Sequence, residues 1–172
     1  MDIIYRKLRP EETAAYREIR LECLKNFPDW FGSVFEEQVN IPKLHGETVI
    51  EEQKPESFIL GAFVGDKLVG ICGFTKETRI KTKHRAEVTQ VYVKPEYQGK
   101  KMGEGMIRAL AKEAFANPEV EQLELGVETN NPSAIRTYEK VGFTTFGHIK
   151  HYFKVGDKYF DEYLMVLYRN SK

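Results

Sequence analysis

Apolar residues recur along this chain with two periods, and the points where one gives way to the other mark its elements. Residues 3–8 read as a first or edge strand. Pro10, Glu11 and Glu12 then supply a helix start, with proline near the first helical position and acids in the first turn, and Ala15, Tyr16, Ile19 and Cys23 continue it as one stripe. Over 26–53 the signal weakens, punctuated by Pro28, Gly32, Pro42 and Gly46, with a short helix predicted near 47–53. Apolar runs 57–64 and 67–74 flank Gly65-Asp66, a two-residue hairpin signal, and a third strand over 87–94 stops at Pro95. The clearest helix follows: Met106, Ile107, Leu110, Ala111, Ala114 and Phe115 share one face, Arg108, Lys112 and Glu113 the other, and Pro118 lies just beyond its end. A short strand is predicted over 122–127. Asn131-Pro132 opens another helix that Gly142 closes, by the usual asymmetry of caps. Runs 143–155 and 159–168, separated by Gly156-Asp157-Lys158, read as a closing hairpin. The order β-α-α-β-β-β-α-β-α-β-β implies a mixed sheet with helices on its faces, without internal repeats.

Composition narrows the function classes. A chain of 172 residues fits one domain, expected to span 1–172. Its 26 basic and 26 acidic residues cancel, so the global basic footprint of a duplex-binding protein is absent and nucleic acid is not the expected partner. The one local basic run, Arg79, Lys81, Lys83, His84 and Arg85, reads as a solvated loop. No apolar run approaches the ~18 residues needed to span a bilayer. The N-terminus is charged from its second residue, so a soluble, cytoplasmic protein without a membrane partner is expected. Cys23 and Cys72 form no disulfide or zinc framework and read as small core residues. His45, His84, His148 and His151 share no ligand spacing, so no catalytic metal is expected.

The segment 98–103 bends from a strand into a helix with Gln98, Gly99 and Gly103 at the bend and Lys100 and Lys101 beside them. Consecutive backbone N–H groups there can converge on an anion at the positive end of a helix dipole. A P-loop is excluded because Glu104 follows Gly103, and a dinucleotide fingerprint because Arg108 stands where its third glycine belongs. The segment resembles the pyrophosphate loop Gln/Arg-x-x-Gly-x-Gly/Ala of the GNAT superfamily of N-acetyltransferases, with Lys101 in place of the usual glycine. A second block carries the resemblance further: Asn131, Ala134, Tyr138, Gly142 and Phe143 match Asn-x-x-Ala-x-x-x-Tyr-x-x-x-Gly-Phe without a gap. Each of these has an ordinary structural role as cap, packing residue or helix stop; their joint occurrence after the loop, in the right element order, is what resembles the family. Segments 21–37 and 156–170 are also similar to its helix 1 to helix 2 region and its final hairpin.

That resemblance implies the acyl-coenzyme A N-acyltransferase fold, α/β with a mixed, mostly antiparallel sheet of about seven strands splayed centrally and about four helices. It implies acetyl-CoA as cosubstrate, no metal, and direct attack by a primary amine of a small molecule or peptide in a ternary complex; a non-catalytic acyl-CoA-binding sensor is the alternative. Backbone groups of Val91, Tyr92 and Val93 would meet the pantetheine arm, residues Gln98, Gly99, Lys100, Lys101, Met102 and Gly103 the pyrophosphate, and Asn131 and Tyr138 complete the cofactor site. An alkyl ammonium has a pKa of about 10.4, so a base is required near neutral pH. Glu87 stands where some members carry one, with His84 and Tyr92 as lesser alternatives. Plain alternation would place Glu87, Thr89, Val91 and Val93 on one face, and the bulge that the family carries in this strand would change that phase. Tyr138 is the candidate acid for the leaving sulfur, and the Val91 N–H the candidate oxyanion donor. Trp30, Phe31 and Tyr152, with Phe35 and Tyr159, either line an acceptor pocket or fill core and homodimer contacts.

Overall fold

The computed structural model describes residues 2–169, so the single-domain expectation at 1 and 170–172 lies outside the described residues. Strand β1 (Ile3–Lys7) leads through a single 3-10 turn at Pro10–Glu12 into α1 (Thr13–Asn26), followed by α2 (Phe35–Gln38) and α3 (His45–Glu52). Then come β2 (Ser57–Val64), β3 (Lys67–Lys76), β4 (Arg85–Val93), α4 (Met102–Phe115), β5 (Gln122–Glu128), α5 (Pro132–Val141), β6 (Thr144–Val155) and β7 (Lys158–Tyr168). There are five α-helices among the described residues where about four were expected; α2 has four residues, too few to show a period. The seven strands form one sheet in the order β1-β2-β3-β4-β5-β7-β6, antiparallel except for β4 with β5. No described helix is long and apolar enough to cross a membrane.

Each face of the sheet carries its own core. On one side Ala86, Val88, Leu123, Leu125, Val127 and Met165 pack against α4, through Met106, Ile107 and Leu110, and against Tyr138 of α5 and the adjoining Phe143. On the other, Tyr16, Ile19 and Cys23 of α1 and Val49 and Ile50 of α3 cover Ile59, Phe63 and Ile71. Removing side chains such as Ile107 and Leu110 from water contributes ~1.5–3 kcal/mol each. Both cysteines are buried and free, as their apolar settings in the sequence imply.

A bulge in β4 decides which residues reach which face. Ile71 pairs with Tyr92 and Gly73 with Thr89, so Cys72 of β3 opposes both Gln90 and Val91, and Gln90 takes a left-handed φ of 55°. Before the bulge Ala86 and Val88 face the α4–α5 core; after it Val91 and Val93 do, and Tyr92 joins the opposite cluster. This is the change of phase that the resemblance implied, and Glu87 and Thr89 point away from the face that holds Val91 and Val93. The left-handed Gln90 costs on the order of 1–3 kcal/mol and is held by a hydrogen bond from the Tyr16 hydroxyl to its Oε1, 2.6 Å. Tyr16→Phe leaves that oxygen without its donor, and urea unfolding is expected to show a loss of about 1–3 kcal/mol; an unchanged midpoint would mean that the bond does not hold the bulge.

Candidate active site at the parting of two parallel strands

The parallel ladder between β4 and β5 has three residue pairs, Arg85 with Gln122, Ala86 with Leu123 and Glu87 with Glu124, and then the strands part. Beyond Glu87, one edge of β4 faces a gap. The Lys94 N–H donates to the Val69 carbonyl of β3, 2.9 Å, so by alternation Tyr92 also turns its backbone to β3 while Val91 and Val93 turn theirs to the gap. The Val93 carbonyl already accepts from Gln98 Nε2, 2.9 Å. Tyr92 thus leaves the expected cofactor set. Its side chain lies in the α1 cluster and its hydroxyl donates to Glu22 Oε1, 2.9 Å; burial is the first cause that pushes its pKa up, which also removes it as a base.

At the end of β4 a 3-10 turn, Pro95–Tyr97, leads into the loop before α4. Gly99 has φ 75° and Lys101, the residue just ahead of the helix, φ 57°. The left-handed backbone at Lys101 gives the physical reason for the usual glycine there: a side chain costs roughly 1–2 kcal/mol in that conformation. None of the backbone N–H groups of residues 99–104 has an acceptor among the described residues, and they surround the positive end of α4. The chemistry of this donor set fits a phosphate group. Lys100, whose Nζ lies 5.6 Å from the centre of the Tyr97 ring, and Lys101 are both exposed beside it. Met102 offers only its backbone, since its side chain is buried in the core.

Helix α5 begins at the gap. Asn131 Oδ1 accepts from the Ala134 N–H, 3.2 Å, the capping role, and Gly142 ends the helix with φ 115°. Between them Tyr138 is 6% exposed, its ring tilted on Phe143 at 5.9 Å. Its hydroxyl makes no hydrogen bond among the described residues, and burial pushes its pKa up, so it holds its proton throughout the neutral range.

On the opposite face of the sheet lies a cleft of about 570 Å³, lined by Trp30, Phe31, Phe153, Thr89, Gln90 and three acids, Glu87, Glu128 and Glu162. Trp30 stacks on Phe27, centroids 4.6 Å apart, and Phe31 lies beneath the Arg20 guanidinium, 5.3 Å from it. Tyr152 is not there: it is 48% exposed, and Phe153 takes its place. A second irregularity explains the exchange, because β6 slips register between Ile149 and Phe153 around His151, whose φ is 54°. His84 lies just before β4, outside the cleft, its carbonyl accepting from the Glu121 and Gln122 N–H groups.

Glu87 has its pKa raised by burial first and then by Glu77 and Glu124. Glu124 itself is held low by Arg85, which grips it through two bonds of 2.7 and 2.6 Å. Glu162 is raised by burial and by Glu87, and Glu128 by burial, with the Asn130 N–H opposing. Glu128 and Glu162 were not read from the sequence. The signal was Glu124, Gly126 and Glu128 at every second position of one strand, which puts them on a single face. Tyr138 and Glu87 therefore approach the gap from opposite faces, and Thr89, Gln90 and Val91 lie between. Among the described residues, no group of three or more His, Cys, Asp or Glu side chains is arranged to hold a metal ion.

Comparison with known proteins agrees with this geometry. The acetyltransferase (GNAT) family model matches residues 12–143. The chain is similar to a spermidine N(1)-acetyltransferase of Vibrio cholerae, 25% identical over 142 residues that cover 83% of this chain and 79% of that protein. It is 34% identical over 105 residues to the N-alpha-acetyltransferase RimI of Mycobacterium tuberculosis, covering 61% of this chain and 63% of the relative. A GNAT-family acetyltransferase structure from Streptococcus pneumoniae shares the fold with a TM-score of 0.86 at 21% identity, over 98% of this chain and all of that one (100%). With the family model spanning most of its length and the parted strands, the unpaired N–H groups at the start of α4 and the buried tyrosine in place, the chain belongs to the acetyltransferase (GNAT) family.

Proposed function

We propose that the acceptor amine and acetyl-CoA reach the gap between β4 and β5 from opposite faces of the sheet, and that acetyl transfer occurs by direct attack in a ternary complex. The protein is an acetyl-CoA-dependent N-acetyltransferase. The observation that carries the two-sided arrangement is the bulge at Gln90, which leaves Glu87 on the cleft side and Val91, Val93 and Tyr138 on the other.

Acetyl-CoA supplies a thioester carbonyl already activated toward amines. The free amides of residues 99–104 bind its pyrophosphate, with Lys100 and Lys101 adding charge, and the gap-facing backbone of Val91 and Val93 orients its arm. Asn131 fixes the start of α5, and so the position of Tyr138, through its cap. Glu87 takes the proton of the arriving ammonium; its raised pKa brings it closer to the working pH than an ordinary carboxylate. The Val91 N–H polarises the carbonyl oxygen where water is excluded. Tyr138, protonated and without a partner, gives its hydrogen bond and then its proton to the departing sulfur. The amine enters past Trp30 and Phe31. The relatives are named for different amines, spermidine in one and N-alpha groups in another, so the acceptor class has to be read from the cleft itself.

Release of free thiol with an amine panel measures the reaction. Tyr138→Phe is expected to lower turnover by about 10²-fold or more while acetyl-CoA affinity changes by less than about threefold; an unchanged rate removes the tyrosine from the chemistry. In the wild-type protein, activity should fall as the pH drops through the raised pKa of Glu87, because the base must be ionised. Glu87→Gln should lower the rate and abolish that acid limb, and a limb that survives the substitution assigns the base elsewhere. Lys101→Gly, which removes the side chain from a left-handed backbone, should preserve acetyl-CoA binding within about threefold, whereas a β-branched Lys101→Val should weaken it. A sharp loss with glycine would show that the lysine charge, rather than the loop backbone, carries the pyrophosphate.

A further inference from the structure

Glu128 and Glu162 are a direct cross-strand pair in the antiparallel β5–β7 ladder, a position where like charges destabilise a sheet. Both point to the cleft, since Leu125 and Val127 on β5 and Tyr163 and Met165 on β7 pack on the other face. Glu128 is 4% exposed; its Oε2 accepts from the Asn130 N–H, 3.1 Å, and its Oε1 has no partner. A buried carboxylate oxygen left in that state carries a desolvation cost that no hydrogen bond offsets. Gly126 has a matching role, because a Cβ there would lie 2.2 Å from Glu162 Oε1: the missing side chain is the space in which the Glu162 carboxylate lies, folded back toward Glu87.

Little in the cleft balances this charge. Arg85 is committed to Glu124, and Arg20, the one guanidinium among the described cleft residues, lies over Phe31 and donates to Cys23 Sγ, 3.6 Å. His45 is also in the wall. Asp29 and Asp161 act on Glu128 from outside and raise its pKa further, and Asp161 is held by His148 Nε2, 2.8 Å, and the His151 N–H, 2.9 Å. Trp30, Phe31 and Phe153 add aromatic faces suited to methylene groups and to a cation.

We propose that Glu128 and Glu162 form a second cation site, and that the acceptor is an aliphatic diamine or polyamine whose leading amine meets Glu87 while a trailing ammonium is held by this pair. The proposal rests on the acetyl-transfer reading above and names its substrate class. An extended cation fits better than a compact one. Glu87 pairs across the ladder with Glu124, four positions before Glu128, a backbone separation of about 13 Å that the folded-back Glu162 side chain shortens. The trailing ammonium gives the unpartnered Glu128 oxygen a donor and separates two opposed charges, which turns a local cost into selectivity.

Trp30 is the only tryptophan, so its fluorescence reports the cleft without any turnover. Diaminobutane, titrated without coenzyme, is expected to change that emission and to bind about tenfold or more tightly than butylamine. Glu162→Gln and Glu128→Gln should each bring the ratio of the two affinities close to unity, while both variants melt no lower than the wild type because one of two opposed charges is gone. Equal affinities in the unaltered protein, a comparison that needs no variant, overturn the proposal. So does a ratio that survives both substitutions, or tighter binding of alanine amide than of diaminobutane. Thiol release separates this proposal from the reading beneath it. A binding preference for the diamine without thiol release keeps the cation site and removes the transfer reading; equal binding with thiol release from both amines does the reverse.

Discussion

The centre of this sheet is governed by a backbone constraint: β4 and β5 are hydrogen-bonded through three residue pairs only, and three residues past the last of them Gln90 kinks β4 away from the regular pleat. Past those pairs β4 has no ladder partner in β5; the Gln98 side chain engages the Val93 carbonyl, and in the proposed reading the rest of the gap-facing Val91 and Val93 backbone meets a ligand that behaves as an extra strand. The same kink reverses the alternation of side chains. One strand can then contribute a carboxylate to one face, and backbone groups beside a buried tyrosine to the other. The Tyr16 hydroxyl bond to Gln90 ties this conformation to α1 and hence to the wall of the cleft.

A net charge of zero hides a strongly divided molecule. On the α4 side, free N–H groups, a helix start and two lysines favour an anion. On the cleft side, Glu87, Glu128 and Glu162 are all raised by burial first. The sign of the linkage is clear. Each of these acids binds its proton more tightly folded than unfolded, so each stabilises the native state when protonated, and this contribution is lost as pH rises from the ordinary carboxylate range through the raised values. At neutral pH these three carboxylates therefore work against the fold, which agrees with the cation site proposed for them. Glu12, Glu119 and Glu124 run the other way, lowered first by their bonds to Arg6, Lys83 and Arg85, and support the fold at neutral pH.

Much of this was legible in the chain. The hairpin at Gly65-Asp66, the amphipathic face of α4 and the caps of α5 follow from periods and turn residues that act locally, and the two motif blocks fall on the loop before α4 and on α5. What no local pattern states has a common cause. Gln90 and His151 adopt left-handed backbone without being glycine, so no residue type marks either bulge; the one in β4 was expected only through the family resemblance, and the one in β6 was not read. One bulge moved Glu87 and Thr89 to the face opposite Val91; the other exchanged Tyr152 for Phe153 in the cleft. Tyr92 fell out of the gap because the ladder to β3 takes its backbone. Glu128 and Glu162 meet through the pairing of β5 with β7, a register that no local pattern states. Lys101, read as a departure from the family's loop, turned out to adopt the conformation that glycine serves elsewhere.

The central claim is that donor and acceptor occupy opposite faces of one splayed sheet, and amide chemical-shift mapping tests it most directly. Coenzyme A added to the isotope-labelled protein should move the amides of residues 99–104 and of Val91 and Val93 most, and leave the Trp30 indole N–H and the Glu128 and Glu162 amides near their original positions. Large shifts at Trp30, Glu128 and Glu162 with little change at 99–104 would place the coenzyme in the acidic cleft and contradict the account.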